Sequence, residues 1–128
     1  MSGYLVNIES KSLENQYFRE VLFTGTHSQL VVMSLAPGED IGMETHDGVD
    51  QFIRVEDGQG KAILNGEEHD LEDGSAVVIP AGTLHNIINS SQSEPLKLYS
   101  IYSPPEHPHG TIHKNKAEAV AYEKEHHH

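Results

Sequence analysis

The sequence predicts an all-β fold, a small barrel or sandwich that ends in a short C-terminal helix. Three observations predict it. Runs rich in Val, Ile, Leu, Phe and Tyr recur at roughly eight- to twelve-residue intervals, the rhythm of short antiparallel strands. Asp-Gly and Asn-Gly pairs punctuate those runs at Asp47-Gly48, Asp57-Gly58, Asn65-Gly66 and Asp73-Gly74. Past residue 103 the texture changes, first to Pro and Gly, then to Ala, Lys and Glu.

The elements follow in order. Residues 4–8 form an apolar first strand and residues 18–24 a second. Residues 30–36 form a third, ended by Pro37-Gly38. Residues 41–46 and 50–56 flank the Asp47-Gly48 turn. Residues 60–64 and 67–71 flank Asn65-Gly66, a pair that favours the type I′ turn of a two-residue hairpin. Residues 75–79 are a β-branched run bounded by Gly74 and Pro80. Residues 85–89 open on His85, and residues 96–103 follow a polar Ser/Gln/Glu loop. Pro104, Pro105, Pro108 and Gly110 break regular structure. Residues 114–125 carry good helix formers. No internal repeat is present, so residues 1–128 read as one domain. Its barrel core spans about residues 30–104, and residues 105–125 supply a loop and a helix.

Bulk properties narrow the function. A chain of 128 residues supports one modest core. The formal net charge of −12 opposes binding to nucleic-acid phosphates or to anionic lipid. Absence of cysteine removes disulfides, thiolate nucleophiles and Cys-type zinc sites, and fits a cytoplasmic protein. No stretch is long and apolar enough to span a membrane, and the N-terminus lacks the basic and apolar regions of a secretory signal. There is no G-x-S-x-G elbow and no phosphate-binding glycine loop. The terminal histidines 126–128, either a native tail or part of a purification tag, are set aside.

One motif stands out. Gly74-x5-Pro80-x-Gly82-x2-His85-x3-Asn89 reads as strand, turn, and a histidine opening the next strand. It resembles the second signature motif of the cupin family at all five fixed positions. Upstream, Gly38-x5-Glu44-x-His46-x4-Gln51-x6-Gly58 resembles the first motif, which usually reads G-x5-H-x-H-x3-4-E-x6-G. Gly38, His46 and Gly58 match; Glu44 stands at the usual first histidine and Gln51 at the usual glutamate. The resemblance covers roughly residues 30–104. It implies a double-stranded β-helix, or jelly-roll barrel, with Glu44, His46, Gln51 and His85 as ligands of one divalent first-row metal ion: Zn, Mn, Fe or Ni. It also implies a homodimer, often with exchanged N-terminal strands, a role open to residues 4–8.

Alternation along strands supports that set. Residues two apart share a face, so Glu44 and His46 point the same way, as do Gln51, Ile53 and Val55, with Phe52 and Arg54 opposite. Two imidazoles, a carboxylate and an amide oxygen suit first-row divalent ions. One carboxylate against a divalent ion leaves about one positive charge for an anionic or enolisable substrate. An amide oxygen in place of nitrogen hardens the centre and favours Lewis-acid over redox chemistry. The same four donor types occur, in another order, in the zinc site of type I phosphomannose isomerases, a similarity that implies sugar-type isomerisation. The expected function is therefore metal-dependent isomerase or lyase chemistry on a small sugar, keto acid or hydroxy acid. Alternatives are a non-catalytic binding or sensor protein and a dioxygenase. His27, His69, His107, His109 and His113 read as surface residues, Asp47 and Asp50 as turn and edge residues. Tyr99 and Tyr102 lie on opposite faces, and either can line the pocket.

Overall fold

The computed structural model of the protein describes residues 2–126; His127 and His128, two of the three terminal histidines, lie outside them. Among the described residues the elements run α1 (Ile8–Glu14), β1 (Arg19–Thr24), β2 (Gln29–Leu35), β3 (Asp50–Asp57), β4 (Gly60–Leu64), β5 (Glu67–Leu71), β6 (Ala76–Ile79), β7 (His85–Asn89), β8 (Leu96–Ser103), β9 (Ile112–His113) and α2 (Lys116–His126). A six-stranded antiparallel sheet has the order β6-β3-β8-β2-β1-β9, and a three-stranded sheet the order β5-β4-β7. Their inner faces enclose one core, containing Met33, Leu35, Ile53, Val55, Ala62, Ile87, Leu96 and Leu98. Each large buried aliphatic side chain there stabilises the fold by about 1.5–3 kcal/mol. Strand β3 shows the expected alternation: Gln51, Ile53 and Val55 are buried, while Phe52 and Arg54 are half-buried.

The turns form as their residues dictate. Asn65 and Gly66 both take positive φ, 49° and 87°, giving the type I′ geometry between β4 and β5. Gly58 has φ 110°, and a Cβ there would lie 2.6 Å from the carbonyl oxygen of Pro95, so the β3–β4 turn requires glycine.

Four expectations are corrected. Residues 4–7 are not a strand, and helix α1 begins at Ile8. Asn7 caps it, its Oδ1 accepting from the Ser10 amide at 3.0 Å; that polar cap outweighs the apolar run before it. Residues 41–46 do not form a continuous strand. They follow β7 through isolated bridges, Asp40 to Ile88 and Glu44 to His85, so four steps along one side face three on the other. Gly42, at φ 111°, gives its amide to the Asn86 side chain and interrupts the ladder. Helix α2 starts two residues late, because Asn115 caps it: its Oδ1 accepts from Glu118 N, and Glu118 Oε1 accepts from Lys114 N. Finally, His107 and His113 are not surface residues, as follows below.

Candidate metal centre

The site lies where segment 41–46, β3, β7 and β8 meet at one end of the barrel. Glu44 and His85 exchange backbone hydrogen bonds, each 2.9 Å, in a narrow antiparallel pair. Directly opposed residues present their side chains on one face. The Glu44 carboxylate therefore reaches His85, with Oε1 3.7 Å from Nε2. His46, two residues on, comes to 3.3 Å from the same oxygen through its own Nε2. The type II-like turn at residues 80–83 anchors both histidines. Gly82 N donates to the His46 carbonyl at 3.0 Å, and His85 Nδ1 lies 2.8 Å from Thr83 O. Ligand atoms of Glu44, His46 and His85 all fall within 4.8 Å of one another.

The unpaired atoms of this cluster point to a cation. His85 Nδ1 donates to a carbonyl, so Nε2 carries the lone pair. His46 Nδ1 faces Glu106 Oε1 at 3.2 Å, which leaves Nε2 as the inward atom. Gln51 sits opposite Tyr102 on the neighbouring strand. Its amide nitrogen donates to Tyr102 Oη at 3.2 Å and Ser100 Oγ at 3.3 Å, while its carbonyl oxygen has no partner. Buried, without hydrogen-bond partners, are His46 Nε2, His85 Nε2 and Gln51 Oε1. Buried acceptors are normally satisfied. A divalent ion beside Glu44 satisfies both imidazole nitrogens, so the Glu44–His46–His85 set fits a metal.

Electrostatics agree. Burial raises the Glu44 carboxyl, but hydrogen bonds and charge from His46, with His85, overcome it and hold the group at about 2. Burial lowers His46, but Glu106 and Glu44 outweigh it and raise the imidazole to about 9. Without metal the cluster is thus a carboxylate–imidazolium–carboxylate chain, with a proton where a cation belongs.

The wall above the cluster comes from the segment after β8. Gln29, buried on β2, accepts from the amides of Glu106 and His107 and donates to His107 O at 2.7 Å. That clamp brings Glu106 onto His46 and turns His107 edge-on to Tyr102, with ring centroids 5.0 Å apart. Tyr102 in turn meets His46 at 5.8 Å, so Tyr102, not Tyr99, faces the site. Burial, reinforced by the Arg19 charge, holds His107 down at about 3, and its Nε2 has no partner. His113 is buried against Arg19, its cross-strand neighbour in the β1–β9 pair. Both histidines looked exposed because nothing in a proline-rich segment signals a side-chain clamp from residue 29. Glu106 was missed for the same reason. His27, His69 and His109 are exposed as expected. Asp50 opens the inner strand β3 and is exposed, its carboxylate accepting from Ala81 N.

An adjoining cavity of about 650 Å³ opens over the cluster, lined by Arg19, Met43, Glu44, His46, Glu106 and residues of α2. The opposite end of the barrel is tied by Asn89, whose amide donates to the carbonyls of Leu35, Ala36 and Glu94.

Comparison with known proteins converges on one family. Residues 31–102 match the cupin domain. The uncharacterised Bacillus subtilis protein YrkC is 50% identical over 126 residues, covering 94% of this chain and 67% of that one. The uncharacterised protein L612 of Acanthamoeba polyphaga mimivirus is 50% identical over 112 residues, covering 85% of this chain and 70% of its own. The crystal structure of BH2720 from Bacillus halodurans superposes with a TM-score of 0.90 at 48% identity, covering 92% of this chain and 93% of that one.

Proposed function

Because the chain belongs to the cupin family, and because His46 Nε2 and His85 Nε2 converge on the Glu44 carboxylate, we propose that it binds one divalent first-row ion through Glu44, His46, Gln51 and His85. On this reading it is a small cytoplasmic enzyme of the isomerase or lyase type, acting on a polar oxygenated small molecule. The observation that carries the reading is the Glu44–His46–His85 cluster, whose ligand atoms all lie within 4.8 Å of one another.

When bound, the ion supplies Lewis acidity to a carbonyl or hydroxyl oxygen. The protein does the rest. Glu106 fixes the His46 ring through Nδ1 and strengthens Nε2 as a donor, and Thr83 O does the same for His85. Tyr102 and Ser100 hold the Gln51 amide nitrogen and leave its oxygen available. His107, kept neutral by burial, packs edge-on against Tyr102 beside the centre.

The test uses protein lacking residues 126–128, since histidine tails take up metal adventitiously. Elemental analysis and titration with Zn, Mn, Fe and Ni salts should give one ion per chain. Turnover is then measured on aldose, keto-acid and hydroxy-acid panels with and without the ion. No uptake refutes the reading; uptake without turnover on any panel replaces the enzyme with a ligand-binding protein.

A further inference from the structure

Strand β1 turns Arg19 inward, opposite Met33 of β2 and His113 of β9. The residue is 6% exposed. A guanidinium keeps its proton at every accessible pH, so a full positive charge is buried here. Such burial is costly unless an opposite charge meets it. Of the three acids lining its cavity, Glu44, Glu106 and Glu123, the first two turn to His46 and make no ion pair with Arg19. Its contacts are His113 Nδ1, 3.3 Å from Nη1, and the Phe18 ring, whose centre lies 5.3 Å from the guanidinium carbon. His113 is pushed toward its neutral form by burial and by Arg19 itself, so it brings no countercharge. Nε is buried with no partner at all. Arg19 nevertheless lines the same cavity as Glu44 and His46.

We propose that Arg19 is an anion-binding residue that receives the carboxylate of a small hydroxy or keto acid, whose neighbouring oxygen faces the Glu44–His46–Gln51–His85 centre. The position of that second oxygen rests on the metal reading above; the anion site rests on Arg19. The guanidinium fork matches a carboxylate with parallel N–H···O bonds, and the chamber is large enough for a small organic acid. Glu44 feels the Arg19 charge only through space, and a neutral sugar would add no hydrogen-bonded countercharge to the guanidinium. Arg19 therefore selects acids over neutral sugars.

Glycolate and its neutral amide, glycolamide, separate charge from shape. Both are titrated calorimetrically into the chain lacking residues 126–128, metal-free and loaded with Mn(II). Glycolate should bind at least about tenfold more tightly than glycolamide, the difference one charge-assisted hydrogen bond makes. In Arg19→Met and Arg19→Lys that preference should vanish or shrink, while Mn(II) uptake stays unchanged. Without any anion, Arg19→Met should also melt higher than the parent, because an unpaired buried charge has gone; an arginine that serves the fold would melt lower. Undiminished glycolate binding in Arg19→Met, or its destabilisation, overturns the assignment. Failure of the parent to take up Mn(II), with Arg19-dependent glycolate binding intact, refutes the metal reading and leaves this one standing.

Discussion

At the scale of single residues, the ligands should not be equal. Imidazole is the stronger donor to first-row ions, and water can replace an amide oxygen. His46→Ala and His85→Ala should each abolish tight metal binding, while Gln51→Ala should weaken it only about tenfold, in the range of supporting groups. Competitive titration against a metal-sensitive dye ranks them; equal losses would contradict the ranking. Gln51→Glu should bind metal more tightly yet turn over an anionic substrate more slowly, because a second carboxylate cancels the residual positive charge. Protons compete for the same atoms. His46 is raised to about 9, so at neutral pH the metal must displace its proton. Affinity should climb about tenfold per pH unit up to roughly 9, and calorimetry in buffers of different ionisation enthalpy should find one proton released per ion. In metal-free protein the sign reverses for stability. The His46 contribution is complete below its ordinary value of 6.5 and fades as pH rises through about 9. The Glu44 contribution is complete above 4.5 and fades as pH falls toward about 2. The motif spacings carried the fold and pointed to Glu44, His46 and His85, whose ligand atoms lie together, and to Gln51 on β3. They carried nothing about Arg19, because apolar residues stand on both faces of residues 18–23 and leave the inward face undecided.

At the scale of elements, most strands were legible because each is short, β-branched and bounded by turn residues whose geometry formed. The failures share a cause: side chains that capture backbone amides. Asn7, Asn86 and Asn115 each do so, and each moved or broke an element. Asn89, the last fixed position of the second motif, belongs with them. It is 1% exposed and holds three carbonyls of two loops, and its Oδ1 accepts from Ser91 N. Asn89→Ala strands those groups and should cost about 2–3 kcal/mol, the price of one or more unmet buried polar groups. Urea unfolding measures it; a loss under 1 kcal/mol, roughly one ordinary hydrogen bond, would show the loops find other partners. Gly58→Ala should be at least as damaging, since the added methyl meets Pro95 O at 2.6 Å in a backbone conformation hostile to a side chain.

At the scale of the molecule, no helix among the described residues is long and apolar enough to cross a membrane. Apolar side chains do stand in the open: Leu5 is 96% exposed and Val78, on edge strand β6, 65%. An unpaired strand edge invites another chain. We propose a homodimer in solution, with sedimentation equilibrium expected to return twice the 14.2 kDa chain mass. Val78→Lys should shift the population to monomer if β6 is the shared edge. A parent that sediments as a monomer across micromolar concentrations removes the dimer.

The Gln29 clamp has a consequence for how such a protein changes over generations. The glutamine grips main-chain atoms of residues 106 and 107 and touches neither side chain through those bonds. Whatever amino acids other than proline occupy the two positions, the same three bonds hold their main chain in place. Chemistry and architecture are thereby uncoupled: new residues can be auditioned over the centre while the scaffold stays intact. A randomised library at 106 and 107 should stay largely folded by thermal shift while its preference among organic acids diversifies. The same library built on Gln29→Ala should lose its common geometry, and with it that freedom.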